Sequence, residues 1–409
     1  MSERFPFRLF LFAFLGWTFD FYDLVLLGFI REEVSADLHI TRAIEPWMLG
    51  VALGTSGVGG IVAGALADRF GKRTMLTVTI LTYSLGSLVC GLAPSLGVFI
   101  LGRGIVGLGV GGEWAIGHGM VAEAVKSNVR GRAAAALQAG EPVGVALAAV
   151  AGYLIMPHVG WRWVVIASSV TALLAVFARR SLHLPNDVAA RRPTMADLRR
   201  ARIGRRMLLA WVLGVFKLGT YWTCYIWLPT FLVHEMHQEI ARSFAWIVTA
   251  QVGQFVGMLG FGWMGDRVGR RPAFTVYSIV TACALALLAF EWPWLAAHPF
   301  FFWGVMLLLG LGSGCTAGFG ALLAELFPTE VRGTAMGATY NLARAAQLVA
   351  PVLVSWAVLR YGLPGGLGVP MILALATAAW VWTLPETRGI TLPTLASRTP
   401  TEPPPARSA

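Results

Sequence analysis

The chain has 409 residues, of which 56% are hydrophobic and only 13% charged, against roughly 25% charged in soluble proteins. That balance excludes a soluble globule, and it is the reverse of the low-hydrophobicity, high-charge composition of a disordered chain. A net charge of +11 could suit nucleic acid, but the basic residues lie in short loops between long apolar runs rather than in one patch, so a lipid partner is expected and a nucleic-acid partner is not.

A helix needs about 20 apolar residues to cross the hydrocarbon core. Runs of that kind fall near 8–30, 47–67, 74–93, 97–122, 132–156, 161–178, 207–232, 243–265, 273–290, 300–325, 333–360 and 364–384, which predicts twelve spans. The N-terminal MSERFPFRLF enters the first run without a small-residue cleavage site, so a retained helix is expected rather than a signal peptide. Between the sixth and seventh runs lies the arginine-dense RRSLHLPNDVAARRPTMADLRRARIGRR, too polar to insert. The predicted organisation is an all-α membrane protein with a six-helix bundle over 1–178, a cytoplasmic, lipid-contacting linker over 179–206, a second six-helix bundle over 207–390 and a disordered, Pro-rich tail over 391–409.

Lys and Arg crowd the loops on one side, around 69–73, 126–132, 267–271 and 332, together with the linker and both ends of the chain. The opposite loops hold only Arg31, Arg42, Arg162, Arg242 and Arg360, so both termini are predicted to be cytoplasmic. Cys90, Cys224, Cys283 and Cys315 are scattered through apolar runs without CxxC pairing, which indicates neither a disulfide framework nor a zinc site.

Two repeats support the division into halves. GALADRFGKR (Gly64 to Arg73) is answered by GWMGDRVGRR (Gly262 to Arg271), mapping Asp68 onto Asp266. Glu123 with Arg130-Gly131 is answered by Glu325 with Arg332-Gly333, at the same E-x6-R-G spacing. In the fourth span Gly107, Gly111, Ala115 and Gly119 make a small-residue stripe that lets helices approach closely. GLGVGG in the same span satisfies GxGxxG, but without a preceding strand it does not indicate a dinucleotide site.

With these motifs in register with twelve spans, and with GRGIVGLGVG in span four and LPETRG after span twelve, the sequence resembles the major facilitator superfamily over essentially the whole chain to about residue 390. Within it, GWTFDFYD, GGEWAIG, QAGEPVG and TYNLARAAQLVAP look most like the proton-coupled carboxylate symporters, the group with sialate, lactate and pyruvate, and aromatic-acid transporters. The resemblance implies a monomeric, multi-pass inner-membrane carrier working by alternating access, not an enzyme, with protons as coupling ion and no other cofactor. It also links the two repeated loops to a cytoplasmic gate, which carries over to Asp68, Arg69, Arg73, Asp266, Arg267 and Arg271, with Glu123, Arg130, Glu325 and Arg332 as partners. Topology retention alone is the other reading of those loops.

Ionisable groups at mid-membrane cost roughly 2.5 to 3.5 kcal/mol each on insertion scales and call for a partner, water or neutralisation. Seven stand well inside spans: Asp20, Asp23, Arg103, Glu113, Glu141, Lys217 and Arg344. Asp20 and Asp23 share a helical face near Tyr22, and with Glu113 they are candidates for proton exchange; pairing with Arg103 to hold the bundle is the alternative. Arg344 offers a permanently charged fork for a substrate carboxylate, unless it pairs with Glu141. Lys217, Glu141, Tyr22, Gln138, Tyr340 and Asn341 complete the expected substrate lining, where interhelical hydrogen bonding is the competing role. A proton-coupled sugar or polyol symporter and a drug or metabolite antiporter remain the alternative functions.

Overall fold

The computed structural model describes residues 7–41, 44–171, 173, 203–236 and 240–394, which are helical almost throughout. In chain order the long helices are α1 (Phe7–Asp37), α2 (Glu45–Phe70), α3 (Lys72–Gly91), α4 (Leu96–Ala124), α5 (Ser127–Val159), α6 (Trp161–Ser168), α7 (Gly204–Met236), α8 (Ile240–Arg267), α9 (Arg270–Phe290), α10 (Pro299–Leu326), α11 (Thr329–Val349 followed by Val352–Tyr361) and α12 (Pro364–Thr383). Among the described residues ten are long and apolar enough to cross a membrane, and α11 makes eleven when its two parts, bent by 41°, count as one span. α6 begins the predicted sixth span, whose end lies outside the described residues, as do most of the predicted linker and the tail beyond 394.

Each half packs its helices in the same way. α4 sits on α2 and α3 as α10 sits on α8 and α9, and α5 lies along α1 as α11 lies along α7. Lipid tails offer no hydrophobic drive between helices, so close backbone approach has to hold them. The predicted stripe supplies it at two of its four positions. A Cβ on Gly107 would stand 2.2 Å from the Ala52 carbonyl and one on Gly111 would stand 2.1 Å from that of Ser56, whereas Gly119 meets nothing within 4 Å. Outward faces carry exposed apolar side chains such as Leu359, Phe300 and Trp163, as a lipid-facing surface requires.

The halves meet where α2 packs on α11 and α5 packs on α8. At one end of both seams each helix reverses tightly into the next. Gly71 (φ 90°) joins α2 to α3 and Gly269 (φ 125°) joins α8 to α9, conformations that side chains other than glycine rarely adopt. Helices near the centre are interrupted: α5 turns at Ala139, α10 tightens over Gly314–Ala317, and α11 tightens over Ala346–Val349 directly after Arg344.

Candidate functional site

The seven intramembrane charges separate into two groups. Asp23 and Arg103 lie together between α1, α3 and α4. Ser87 donates its hydroxyl to Asp23 Oδ2, and the Arg103 guanidinium donates to the backbone carbonyls of Asp23 (3.1 Å) and Leu24 (3.5 Å). Both groups are thereby engaged within one half. Tyr22, also on α1, donates to the Val164 carbonyl of α6 (3.4 Å) and lines a lateral groove with Ile155, Val159 and Trp163, apart from the other predicted substrate contacts.

The remaining five charges gather in the core of the molecule. Asp20 and Glu113 bring their carboxyls together, with Tyr83 and Arg344 in electrostatic reach. Glu113 lies directly against Gly16 of α1, where a Cβ would stand 1.8 Å from its Oε1. Among the described residues no other side chain or backbone donor bonds to either carboxyl, so the contact is attractive only with a proton between them. Beside them runs a hydrogen-bonded chain that crosses between the halves. Trp114 Nε1 donates to Gln138 Oε1 (2.9 Å), and Glu141 accepts from Gln138 Nε2 (2.7 Å) and from Gln254 Nε2 of the opposite half (2.9 Å). Lys217 and Arg344 both lie within electrostatic reach of Glu141.

Arg344 is 1% exposed, with its guanidinium over the rings of Tyr340 (5.1 Å) and Trp17 (5.4 Å). Among the described residues its two Nη atoms and the Nζ of Lys217 have no hydrogen-bond partner, although both side chains are buried. A buried ion without such a partner forfeits several kcal/mol, so these atoms mark a site suited to an anionic guest. Asn341, by contrast, donates to the carbonyls of Gly111 (2.7 Å) and Gly337 (3.1 Å), fastening α11 to α4.

The repeated motifs close one end of the interface. Asp68 accepts from the backbone N–H of Gly333 (3.1 Å) and Thr334 (2.8 Å) and from the Thr334 hydroxyl (2.6 Å), while Asp266 accepts from the N–H of Gly131 and Arg132, both at 2.9 Å. Each aspartate therefore caps a helix of the opposite half, where the free N–H groups of the first turn favour an anion. Glycine is needed at both caps, since a Cβ on Gly131 or Gly333 would lie 2.4 or 2.6 Å from the capping carboxylate. The glutamates cross over as well. Glu123 takes Arg332 and Lys72, and Glu325 takes Arg130 (3.3 Å) and Arg270 (2.9 Å).

Of the other predicted gate residues, Arg69 and Arg267 are exposed, stacked over Phe70 (5.0 Å) and Trp263 (4.2 Å). Arg271 turns to the Leu384 carbonyl, and Arg73 is half-buried at the start of α3. Lys72 and Arg270, which no role had been given, stand four residues after Asp68 and Asp266, and that i,i+4 spacing was the available signal. The segment after α12, read in the sequence only as the family motif LPETRG, joins these contacts as well. Glu386 accepts the backbone N–H of Arg270 (2.9 Å) and Arg271 (3.0 Å), Thr387 donates to Glu325 (2.7 Å), and Arg130 donates to the Ile390 carbonyl (3.1 Å). Burial pushes the Glu386 carboxyl up, but backbone N–H donors from Arg270, Arg271, Arg388 and Thr387 outweigh it and hold the group below its ordinary range.

A family model described as Major Facilitator Superfamily matches residues 9–260 and 236–406. The cis,cis-muconate transport protein of Acinetobacter baylyi is 30% identical over 366 residues, covering 85% of this chain and 86% of its own. The niacin transporter NiaP of the same organism is 26% identical and covers 92% and 93%. A solved structure of the proton:xylose symporter XylE superposes with a TM-score of 0.78 over 97% of this chain and 99% of that one; at 17% identity the likeness is one of fold.

Proposed function

The chain belongs to the major facilitator superfamily and is a multi-pass inner-membrane transporter, not an enzyme; from that premise we propose that it carries a small organic carboxylate inward together with protons. The observation that carries this reading is Arg344, a buried guanidinium at a helix interruption in the core, with neither Nη atom hydrogen-bonded to protein among the described residues. A guanidinium binds a carboxylate through two parallel charge-assisted hydrogen bonds and keeps its charge at any physiological pH. Lys217 adds a second unpartnered cation near Glu141, which favours an anion over a neutral sugar.

The cycle follows from the two carboxyl environments. From the outside, a proton enters the Asp20–Glu113 contact, where no other donor competes for those oxygens. The substrate carboxylate then takes the fork of Arg344, and Glu141, tied to Gln138 on one half and Gln254 on the other, registers the closure of the halves. Inward rocking breaks the caps of Asp68 and Asp266 and the crossed glutamate pairs, and substrate and proton leave into the less acidic cytoplasm. The carrier acts as a monomer, with the proton as its only cofactor.

The test is uptake into liposomes of labelled lactate, pyruvate, a benzoate, a sialate, a dicarboxylate and a hexose, with and without an acid-outside gradient. One acid should accumulate only under the gradient, and Arg344→Ala should abolish its uptake. Hexose uptake insensitive to Arg344→Ala would replace the carboxylate reading with the sugar one. Substrate leaving as protons enter would replace symport with antiport.

A further inference from the structure

Trp114 has no role in the scheme above, yet it makes the closest ring contact at the centre. Its indole, on α4 of one half, lies face to face with the phenol of Tyr340 on α11 of the other, with centroids 3.7 Å apart and planes 7° from parallel. Both side chains are almost fully buried. Left to their quadrupoles, aromatic rings prefer offset or edge-on arrangements with centroids about 4.5 to 7 Å apart. A near-eclipsed pair therefore reflects surroundings that fix each ring. Gln138 holds the Trp114 N–H, and His118 stacks against the indole at 4.7 Å. Phe319 meets Tyr340 at 5.8 Å, and the Arg344 guanidinium stands 5.1 Å from the Tyr340 ring centroid.

Because the two rings belong to opposite halves, any rocking that opens the centre parts them. The faces so uncovered are flat, parallel and apolar, and the Arg344 guanidinium, whose Nη atoms have no hydrogen-bond partner among the described residues, stands 5.1 Å from the centroid of the Tyr340 ring. Resting on the carboxylate reading, we propose that Trp114 and Tyr340 form a planar clamp that selects aromatic or conjugated carboxylates. The π-system of the guest enters between the rings and replaces their mutual stack, while its carboxylate takes Arg344. A saturated acid of equal charge separates the rings without restoring either face. Each lost stack weakens binding roughly two- to tenfold.

The probes are labelled benzoate and cyclohexanecarboxylate, equal in charge and close in size, measured by equilibrium binding to the purified full chain. The clamp predicts that benzoate binds about tenfold more tightly or better, two faces acting together. Trp114→Leu should bring the ratio to within about threefold, mostly by weakening benzoate, whereas Trp114→Phe, which keeps a ring, should retain most of the preference. Tyr340→Leu carries the same prediction as Trp114→Leu and replaces it if that variant does not fold. Equal binding of the two acids to the wild type, or a benzoate preference that survives both leucine variants, overturns the clamp and leaves the carboxylate reading standing. Binding of neither acid also overturns the clamp, while the carboxylate reading stands or falls on the wider liposome panel.

Discussion

At the corner where α2 meets α11, Asp68 caps the start of α11, and Lys72 and Arg332 share Glu123, whose side chain remains 23% exposed. At the corner where α8 meets α5, Asp266, Arg270, Glu325 and Arg130 make the corresponding contacts, but Arg270 also pairs with Asp266 (2.8 Å), and Glu325 is fully buried and also accepts the Thr387 hydroxyl. The segment after α12 lies over this second corner and excludes water from it. One motif repeated in sequence thus gives two corners of unequal burial, in which similar charges act in different dielectrics.

The largest expected effect separates the two glutamates. Glu325→Gln leaves Arg130 and Arg270 buried without their shared carboxylate, a loss of about 3 to 5 kcal/mol, while Glu123→Gln, whose carboxylate is partly exposed although its partner Arg332 is buried, should cost less, about 1 to 3 kcal/mol. Distances between spin labels on the two halves at the gate end should therefore lengthen in Glu325→Gln and stay mostly short in Glu123→Gln. Equal lengthening would break the comparison.

The aspartates sharpen it from the other direction, because both cap backbone N–H groups and neither depends on the strap after α12 for its bonds. Asp68→Asn should weaken closure by about 0.5 to 2 kcal/mol, and Asp266→Asn by more, because it also removes the carboxylate paired with the buried Arg270, with a correspondingly larger shift in the same distance measurement. A smaller change is expected from Lys72→Arg, which gives the exposed corner the guanidinium found at the buried one. It should stabilise closure by less than about 1 kcal/mol, seen as a modest rise in thermal stability; a fall would mean that Arg270 owes its strength to more than its burial.

Smallest is the contribution of Glu386, and its pH dependence has a fixed sign. A carboxyl held below its ordinary range stabilises the fold fully above the unfolded value and loses that contribution as pH falls through the folded one. The difference in thermal stability between wild type and Glu386→Gln should be constant from pH 6 to 8 and shrink only below about pH 4. A difference that grows on acidification would contradict the strap's carboxylate role.

The gate was legible because repetition in sequence becomes repetition in space. Asp68 with Asp266, Glu123 with Glu325 and Arg130 with Arg332 could be paired from spacing alone, although the exchange of partners between halves could not, since it depends on helices some 200 residues apart. Arg271 was chosen over Arg270 because both fall in the motif and only helix geometry separates them. In the core the charges stood out against apolar spans, yet their grouping did not. Asp20 and Asp23 are one turn apart and take different partners, because Ser87 and Arg103 reach one and Glu113 the other. Trp114 was invisible for the opposite reason, since an aromatic residue in an apolar span looks the same whether it faces lipid, core or substrate.

Whether a carboxylate and a proton cross together can be read from proton movement itself. Liposomes containing the protein and a trapped pH-sensitive dye, with no gradient imposed, would receive the transported acid from outside in a form too polar to cross the bilayer alone. The account predicts immediate acidification of the interior, abolished by Arg344→Ala and by Asp20→Asn combined with Glu113→Gln. Substrate entry with no change of internal pH, or with alkalinisation, would contradict it.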